Sequence, residues 1–137
     1  MDTPQPPDFV ALIPFAATIG VELDAASAEQ VRGRLPWATE RCTSFGVLHG
    51  GAVMAFADTL GAICAHLNLP AGAATTTIES KTNFFRGVRA GTVHGTTSAL
   101  HVGRTTIVVQ TDLTDDAGKR VAQVTQTQAV LPAPRDA

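Results

Sequence analysis

The sequence predicts an α+β domain in which an antiparallel β-sheet wraps around one long central helix. Two observations carry that prediction. From Gly50 to Asn68 the apolar residues do not keep to one face: Ala52, Val53, Met54, Ala55, Phe56 and Ala57 follow one another directly, and Leu60, Ala62, Ile63, Cys64 and Ala65 continue the pattern. A helix that is apolar all round is expected to be buried all round. Everything after it, from Ala74 to Leu131, falls into four runs dense in β-branched residues. A helix of that kind and a sheet of that size fill one core, and 137 residues suffice to bury it.

Taken in order, Met1–Pro7 is polar and carries Pro4, Pro6 and Pro7, a loose lead-in. Asp8 is a candidate cap for a short helix over Phe9–Phe15, with Pro14 near its end. This lead-in and helix, residues 1–14, precede a single domain over 15–131, and 132–137 form a tail. Ile19–Asp24 alternates as a half-buried strand does, AASAEQ turns the chain, and Val31–Leu35 returns as a strand that Pro36 ends. Residues 37–48 are loop. Pro70 and Gly72 stop the central helix. The four strands that follow are Ala74–Arg86, Gly91–Val102, Arg104–Thr114 and Lys119–Leu131, read as a meander. Gly103 divides the middle two, and Asp115-Asp116-Ala117-Gly118 turns into the last.

The charge balance excludes some partners. Ten basic and twelve acidic residues give a net charge of −2, so there is no basic excess for the phosphates of nucleic acid. Only 16 % of residues are charged, and the mean hydropathy is +0.14. So low a charge fraction implies a surface partly covered by another copy of the chain. Cys42 and Cys64 form no CxxC pair and are expected as reduced thiols in a cytoplasmic protein. The first residues carry no basic and apolar leader pattern. Asp58 and His66 inside the central helix argue against a membrane span. His66, His94 and His101 do not share a metal-ligand spacing, so no metal is expected.

The chemistry sits on the helix. His49-Gly50-Gly51 is a sharp turn at its start, where free N–H groups and the positive dipole end suit an anion or a developing oxyanion. Asp58 is the helix's one acid, and a lone carboxylate on an apolar helix is costly without a purpose. Ionised, it can act as a general base or as a nucleophile. Together the two features suggest hydrolysis at a carbonyl. Eight residues of helix separate Gly50 from Asp58 by about 12 Å, whereas attack needs reacting atoms at about 3 Å. Either the two are unrelated, or one site takes Gly50 from one chain and Asp58 from another in an antiparallel helix pair.

The run Gly46-Val47-Leu48-His49-Gly50-Gly51, with Asp58 seven residues after the second glycine, resembles the signature of hotdog-fold acyl-CoA thioesterases. It is most similar to the phenylacetate-degradation (PaaI-like) branch of the 4-hydroxybenzoyl-CoA thioesterase superfamily. Thr77-Ile78-Glu79 with Asn83-Phe84-Phe85-Arg86, and Leu100-His101-Val102-Gly103-Arg104, extend the resemblance over residues 15–131. It implies a hotdog fold and hydrolysis of a thioester, aryl or short to medium acyl-CoA, to a carboxylic acid and CoA. No cofactor is implied beyond the coenzyme A of the substrate. The Gly50 amide would polarise the carbonyl, Asp58 of the facing subunit would activate water or attack, and Thr77 would position the water. Where many members have Asn or Gln seven residues before the first glycine, this chain has the shorter Thr43. The resemblance also implies a homodimer, doubled to a homotetramer.

Other residues are further candidates for the site. His49 either touches substrate or fixes the turn through a bond to nearby backbone. Gly51 allows close approach of the substrate. Arg86, Arg89 and Arg104 are candidates for the phosphates of CoA, or else solvated strand ends. Phe84 and Phe85 alternate on their strand, so one is core and the other, here assigned as Phe85, lines an acyl pocket or the subunit interface. Two rivals stand beside hydrolysis. A hotdog dehydratase or hydratase usually carries a His-Phe-Pro-type or Asp…His motif at the helix entrance, which His49-Gly50-Gly51 does not resemble. A non-catalytic acyl-CoA-binding protein would leave Gly50, Asp58 and Thr77 together without a task.

Overall fold

The computed structural model of the chain describes residues 7–134, so the lead-in over residues 1–6 and the end of the tail lie outside the described residues. Asp8 caps helix α1 (Phe9–Leu12), its carboxylate accepting the Ala11 N–H at 3.1 Å. Pro14 does not end this helix; it opens a second one, α2 (Pro14–Ile19). Proline suits a first helical position, because its missing N–H would have no partner there. Gly20 then closes α2 in the left-handed conformation, φ 84°. Strand β1 (Glu22–Ala26) therefore starts three residues later than the alternation from Ile19 suggests.

β1 pairs with β2 (Val31–Pro36), whose inward Val31, Gly33 and Leu35 are buried while Arg32 and Arg34 face out. Two single-turn 3-10 segments, Thr39–Arg41 and Ser44–Gly46, lead to helix α3 (Gly50–Leu67). Asn68 ends α3, its Nδ2 donating to the Cys64 and Ala28 carbonyls at 2.9 Å each. Strands β3 (Ala74–Phe84), β4 (Thr92–Val102), β5 (Thr106–Thr114) and β6 (Arg120–Leu131) complete the sheet.

All six strands form one antiparallel sheet in the order β1-β2-β4-β5-β6-β3, wrapped around α3. Only β4, β5 and β6 follow one another as a meander. β3 stands at the far edge beside β6. After β3 the chain crosses beneath the entrance of α3, where Leu48 N–H bonds the Val88 carbonyl and Trp37 N–H bonds that of Gly91, both at 2.8 Å. That crossing delivers β4 to β2 on the opposite side. The outer edge of β3 has no partner strand among the described residues, and Ile78 upon it is 61 % exposed.

The core lies between α3 and the concave face of the sheet. Phe56, Leu60 and Cys64 are buried against Val31, Leu35, Val93, Ile107, Val109 and Leu113. Burying Phe56 or Leu60 fully contributes about 1.5–3 kcal/mol each. The helix is not buried all round, however. Met54 is 38 % exposed, Asp58 is exposed, and Ala55 and Ala62 are half-buried, so one stripe of α3 faces away from the sheet. A length and mean hydropathy of 1.3 would let Gly50–Leu67 cross a membrane, but half of it is enclosed by this sheet.

Candidate active site

The start of α3 is held by its own turn. His49 N–H donates to the Arg41 carbonyl at 2.8 Å, and Cys42 and Leu48 form an isolated antiparallel bridge. The His49 Nδ1 accepts the Gly51 N–H at 2.7 Å. His49 thus caps the helix through an unprotonated Nδ1, one of its two readings. The Ala52 and Val53 N–H groups bond the His49 carbonyl at 3.0 and 3.1 Å. Of the first four helical N–H groups, Gly50 alone has no acceptor among the described residues. It is a free donor at the positive end of an 18-residue helix.

A cavity of about 330 Å³ opens beside that donor, lined by Gly50, Thr43, Phe84, Phe85, Arg86 and Val88 among others. A Cβ on Gly50 would stand 3.3 Å from Phe84 Cζ, so the Phe84 ring lies over the helix start. Neither phenylalanine is core: Phe84 is 51 % and Phe85 55 % exposed. β3 ends at Phe84, and Phe85 leaves the strand with its N–H on the Val121 carbonyl, so alternation no longer sets its direction. Across the turn, a second cavity of about 490 Å³ is lined by His49, Gly51, Arg41, Phe15 and Ala55.

Asp58 lies on the uncovered stripe of α3. Gln126 Nε2 donates to its Oδ1 at 2.7 Å. The carboxylate's edge reaches solvent, but the surrounding atoms exclude enough water to raise its pKa above the ordinary 3.8. The hydrogen bond from Gln126 opposes that rise. Thr77 is held in a similar way: Gln128 Nε2 donates to Thr77 Oγ1 at 2.9 Å, while Gln128 Oε1 accepts from Thr75 Oγ1 at 3.2 Å. Gln126 and Gln128 are both fully buried and sit two residues apart on the inward face of β6. About 7 Å of strand separates them, so Asp58 and Thr77 are tethered to neighbouring points of the sheet.

Gly50, Thr43, Phe85 and Arg86 are therefore gathered at one cavity, His49 and Gly51 border the other, and Asp58 and Thr77 share a polar layer farther along the helix. Arg89 is exposed on the β3–β4 crossing. Arg104 lies in the β4–β5 turn, at the end of the sheet where β3 begins, and β3 is about 33 Å long. One chain does not bring Arg104 to Arg86. Sequence reasoning missed Gln126 and Gln128. Their signal was present, since the inward series Ala122, Val124, Gln126, Gln128, Val130 places two amides where the period-2 pattern calls for apolar residues.

The thioesterase superfamily model matches residues 45–122. A protein of Pseudomonas aeruginosa, thioesterase PA1618, is 32 % identical over 115 residues, 83 % of this chain and 79 % of that one. Its mutant crystal structure superposes with a TM-score of 0.88 over 96 % of both chains, at 30 % identity. Proofreading thioesterase EntH of Cronobacter turicensis is 29 % identical over 113 residues, 82 % of each chain. The crystal structure of thioesterase HI1161 from Haemophilus influenzae matches with a TM-score of 0.84 at 26 % identity, covering 88 % of this chain and 85 % of that one.

Proposed function

Because the chain belongs to the thioesterase superfamily and is thus a hotdog-fold thioester hydrolase, we propose that it hydrolyses an acyl-CoA at a site shared between two subunits. The observation that carries this reading is the free Gly50 N–H about 12 Å along the helix from Asp58, too far to serve one thioester within a chain. Two further features support a shared site. The α3 stripe bearing Asp58 is uncovered, and β3 offers an unpaired edge beside it. Two β3 edges pairing antiparallel would set two α3 helices side by side, Gly50 of each facing Asp58 of the other.

In that site the Gly50 N–H donates to the thioester carbonyl oxygen, where negative charge develops. Asp58 of the partner subunit takes a proton from water as the water oxygen bonds to the carbonyl carbon. Collapse of the tetrahedral adduct breaks the C–S bond, and the CoA thiolate leaves with the proton that Asp58 returns. In the nucleophilic alternative, Asp58 attacks first and water cleaves the resulting anhydride. Thr77 accepts from Gln128, so its own O–H is free to hold the attacking water. His49 fixes the turn, Gly51 leaves room beside it, and Thr43 lines the acyl side in place of a longer amide. Phe85 borders the acyl cavity. Arg86 and Arg89 meet the CoA phosphates, and Arg104 joins them only from another subunit.

The reaction needs no group beyond the substrate's own CoA. The two free thiols, Cys42 and Cys64, suit a reducing cytoplasm, and the low charge fraction suits dimers doubled to a tetramer. Thiol release from a panel of arylacetyl-, benzoyl-, short- and medium-chain acyl-CoAs tests the reading. Turnover of at least one class, abolished in Asp58→Asn at an unchanged fold, is the expected result. Near-normal turnover by that variant overturns it.

A further inference from the structure

We propose that Gln126 is a positioning residue for catalysis, holding the Asp58 carboxylate ionised and aimed from the buried floor of the sheet. This rests on the reading of Asp58 as the reactive acid. The geometry begins with a conflict. Gln126 is fully buried at an inward β6 position where Val124 and Val130 show that apolar residues fit. Its Nε2 has one partner, Asp58 Oδ1 at 2.7 Å, and its Oε1 has none among the described residues. An inward amide whose side-chain partner is the Asp58 carboxylate gives the sheet itself no side-chain hydrogen bond, so the contact with Asp58 is what explains its place. A methionine or leucine would fill similar space with no polar group to place.

The space itself is reserved for the amide. A Cβ on Gly61, one turn beyond Asp58, would overlap Gln126 Oε1 and approach its Cδ to 2.7 Å. Glycine in a helix interior costs about 1 kcal/mol relative to alanine, yet no larger residue leaves room here. Gly61 and Gln126 thus form one device: the glycine opens the slot, and the amide lies in it with its N–H towards Asp58.

Among the described residues of its own chain, no charge near Asp58 competes with this bond; in the shared site the positive start of the partner's α3 faces it as well. Inward residues of β2, β4, β5 and β6 are uncharged, and Arg32, Arg34, His94, Asp112 and Arg120 belong to the outward face or its rim. On β3, Glu79 and Lys81 pair with outward Thr127 and Thr125, and α2 carries no charge. On α3 itself, the capping His49 and His66 are nine and eight residues away, and Cys64 is buried. Within the chain, the ionisation of Asp58 is therefore a contest between exclusion of water, which raises its pKa, and the Gln126 bond, which lowers it.

The experiment compares pH profiles of kcat/KM for wild type and Gln126→Met, using an acyl-CoA the wild type turns over. The acid limb of Gln126→Met is expected about one pH unit higher, with the rate lowered most on the acid side and recovering towards wild type above the limb, and KM little changed. Thermal unfolding of the variant is expected at or above the wild-type temperature. A merely structural glutamine would lower the rate equally at every pH and leave the limb unmoved, and that result overturns the proposal. Gly61→Ala, which pushes the same amide aside from the helix, is expected to move the limb in the same direction and decides the matter if Gln126→Met does not fold. Asp58→Asn is run in parallel. If it stays active, the reading of Asp58 has failed; if it is dead while both limbs stay in place, only the role of Gln126 has failed.

Discussion

Replacing Gly50 with proline removes the free N–H at the start of α3 and puts the ring's Cδ in its place. The Gly50 N–H has no acceptor among the described residues, so its loss breaks none of their bonds. Gly50 is the first helical residue, where proline is well tolerated. The preceding His49 has φ −63° and ψ 132°, an extended conformation that a following proline favours. The new Cβ would stand 3.3 Å from Phe84 Cζ, and the half-exposed ring can give by the few tenths of an ångström required. Unfolding free energy should be unchanged or higher by up to about 1 kcal/mol, the usual gain from proline at a compatible site. Losing an oxyanion donor, in contrast, costs about 2.7–4 kcal/mol of transition-state stabilisation, a fall of 10²–10³ in kcat. Release of CoA thiol followed with a thiol-reactive chromophore measures that fall, and urea unfolding checks the fold. A Gly50→Pro protein that folds normally and retains near wild-type kcat refutes the assignment of this N–H to the carbonyl.

The other expectations follow from single contacts. Asp58→Asn should abolish turnover and raise the unfolding temperature at neutral pH. The folded Asp58 has a raised pKa, so its contribution to stability is present below pH 3.8 and is lost as pH rises through the folded value; the thermal advantage of the variant should shrink in acid, and an advantage that does not depend on pH counts against the account. His49→Ala removes the cap on the Gly51 N–H and should cost about 1 kcal/mol in urea unfolding, with some loss of rate as the turn loosens; undiminished stability would show that the cap is idle. Thr77→Val leaves Gln128 Nε2 buried without its acceptor, for about 1–3 kcal/mol of stability. It should also lower kcat about tenfold, equivalent to 1.36 kcal/mol of barrier, while unchanged kcat would remove Thr77 from the site.

The parts of this molecule that local chemistry dictates were legible in its sequence. His49-Gly50-Gly51 marked the start of α3, Pro70 and Gly72 its end, and the runs of Thr and Val marked each long strand to within two residues. Errors arose where neighbouring signals conflict. Pro14 reads as a stop or a start depending on which residues before it are helical, and the alternation from Ile19 runs on through Gly20 although that glycine turns the chain. Strand order was out of reach, because β3 and β6 carry equivalent patterns and only the crossing under Leu48 and Trp37 decides which strands meet. The helix read as buried all round because Met54, Ala55 and Ala62 are apolar, and a single chain leaves that stripe uncovered. Asp58 and Gly50 stood out as types in unusual places, whereas Gln126 and Gln128 stand out only when Ala122, Val124 and Val130 are taken together as the inward series of their strand.

That one active site takes Gly50 from one subunit and Asp58 from the other is tested most directly by mixing two dead proteins. Asp58→Asn and Gly50→Pro are unfolded together, refolded as a mixture, and assayed for thiol release beside each variant refolded alone. In a mixed dimer one site would hold an intact Gly50 facing an intact Asp58, and the other would hold both lesions. With random pairing, half the dimers are mixed and half of their sites are whole, so the mixture should recover about a quarter of wild-type activity. A mixture as inactive as its parents, although mixed dimers have formed, would contradict the shared site.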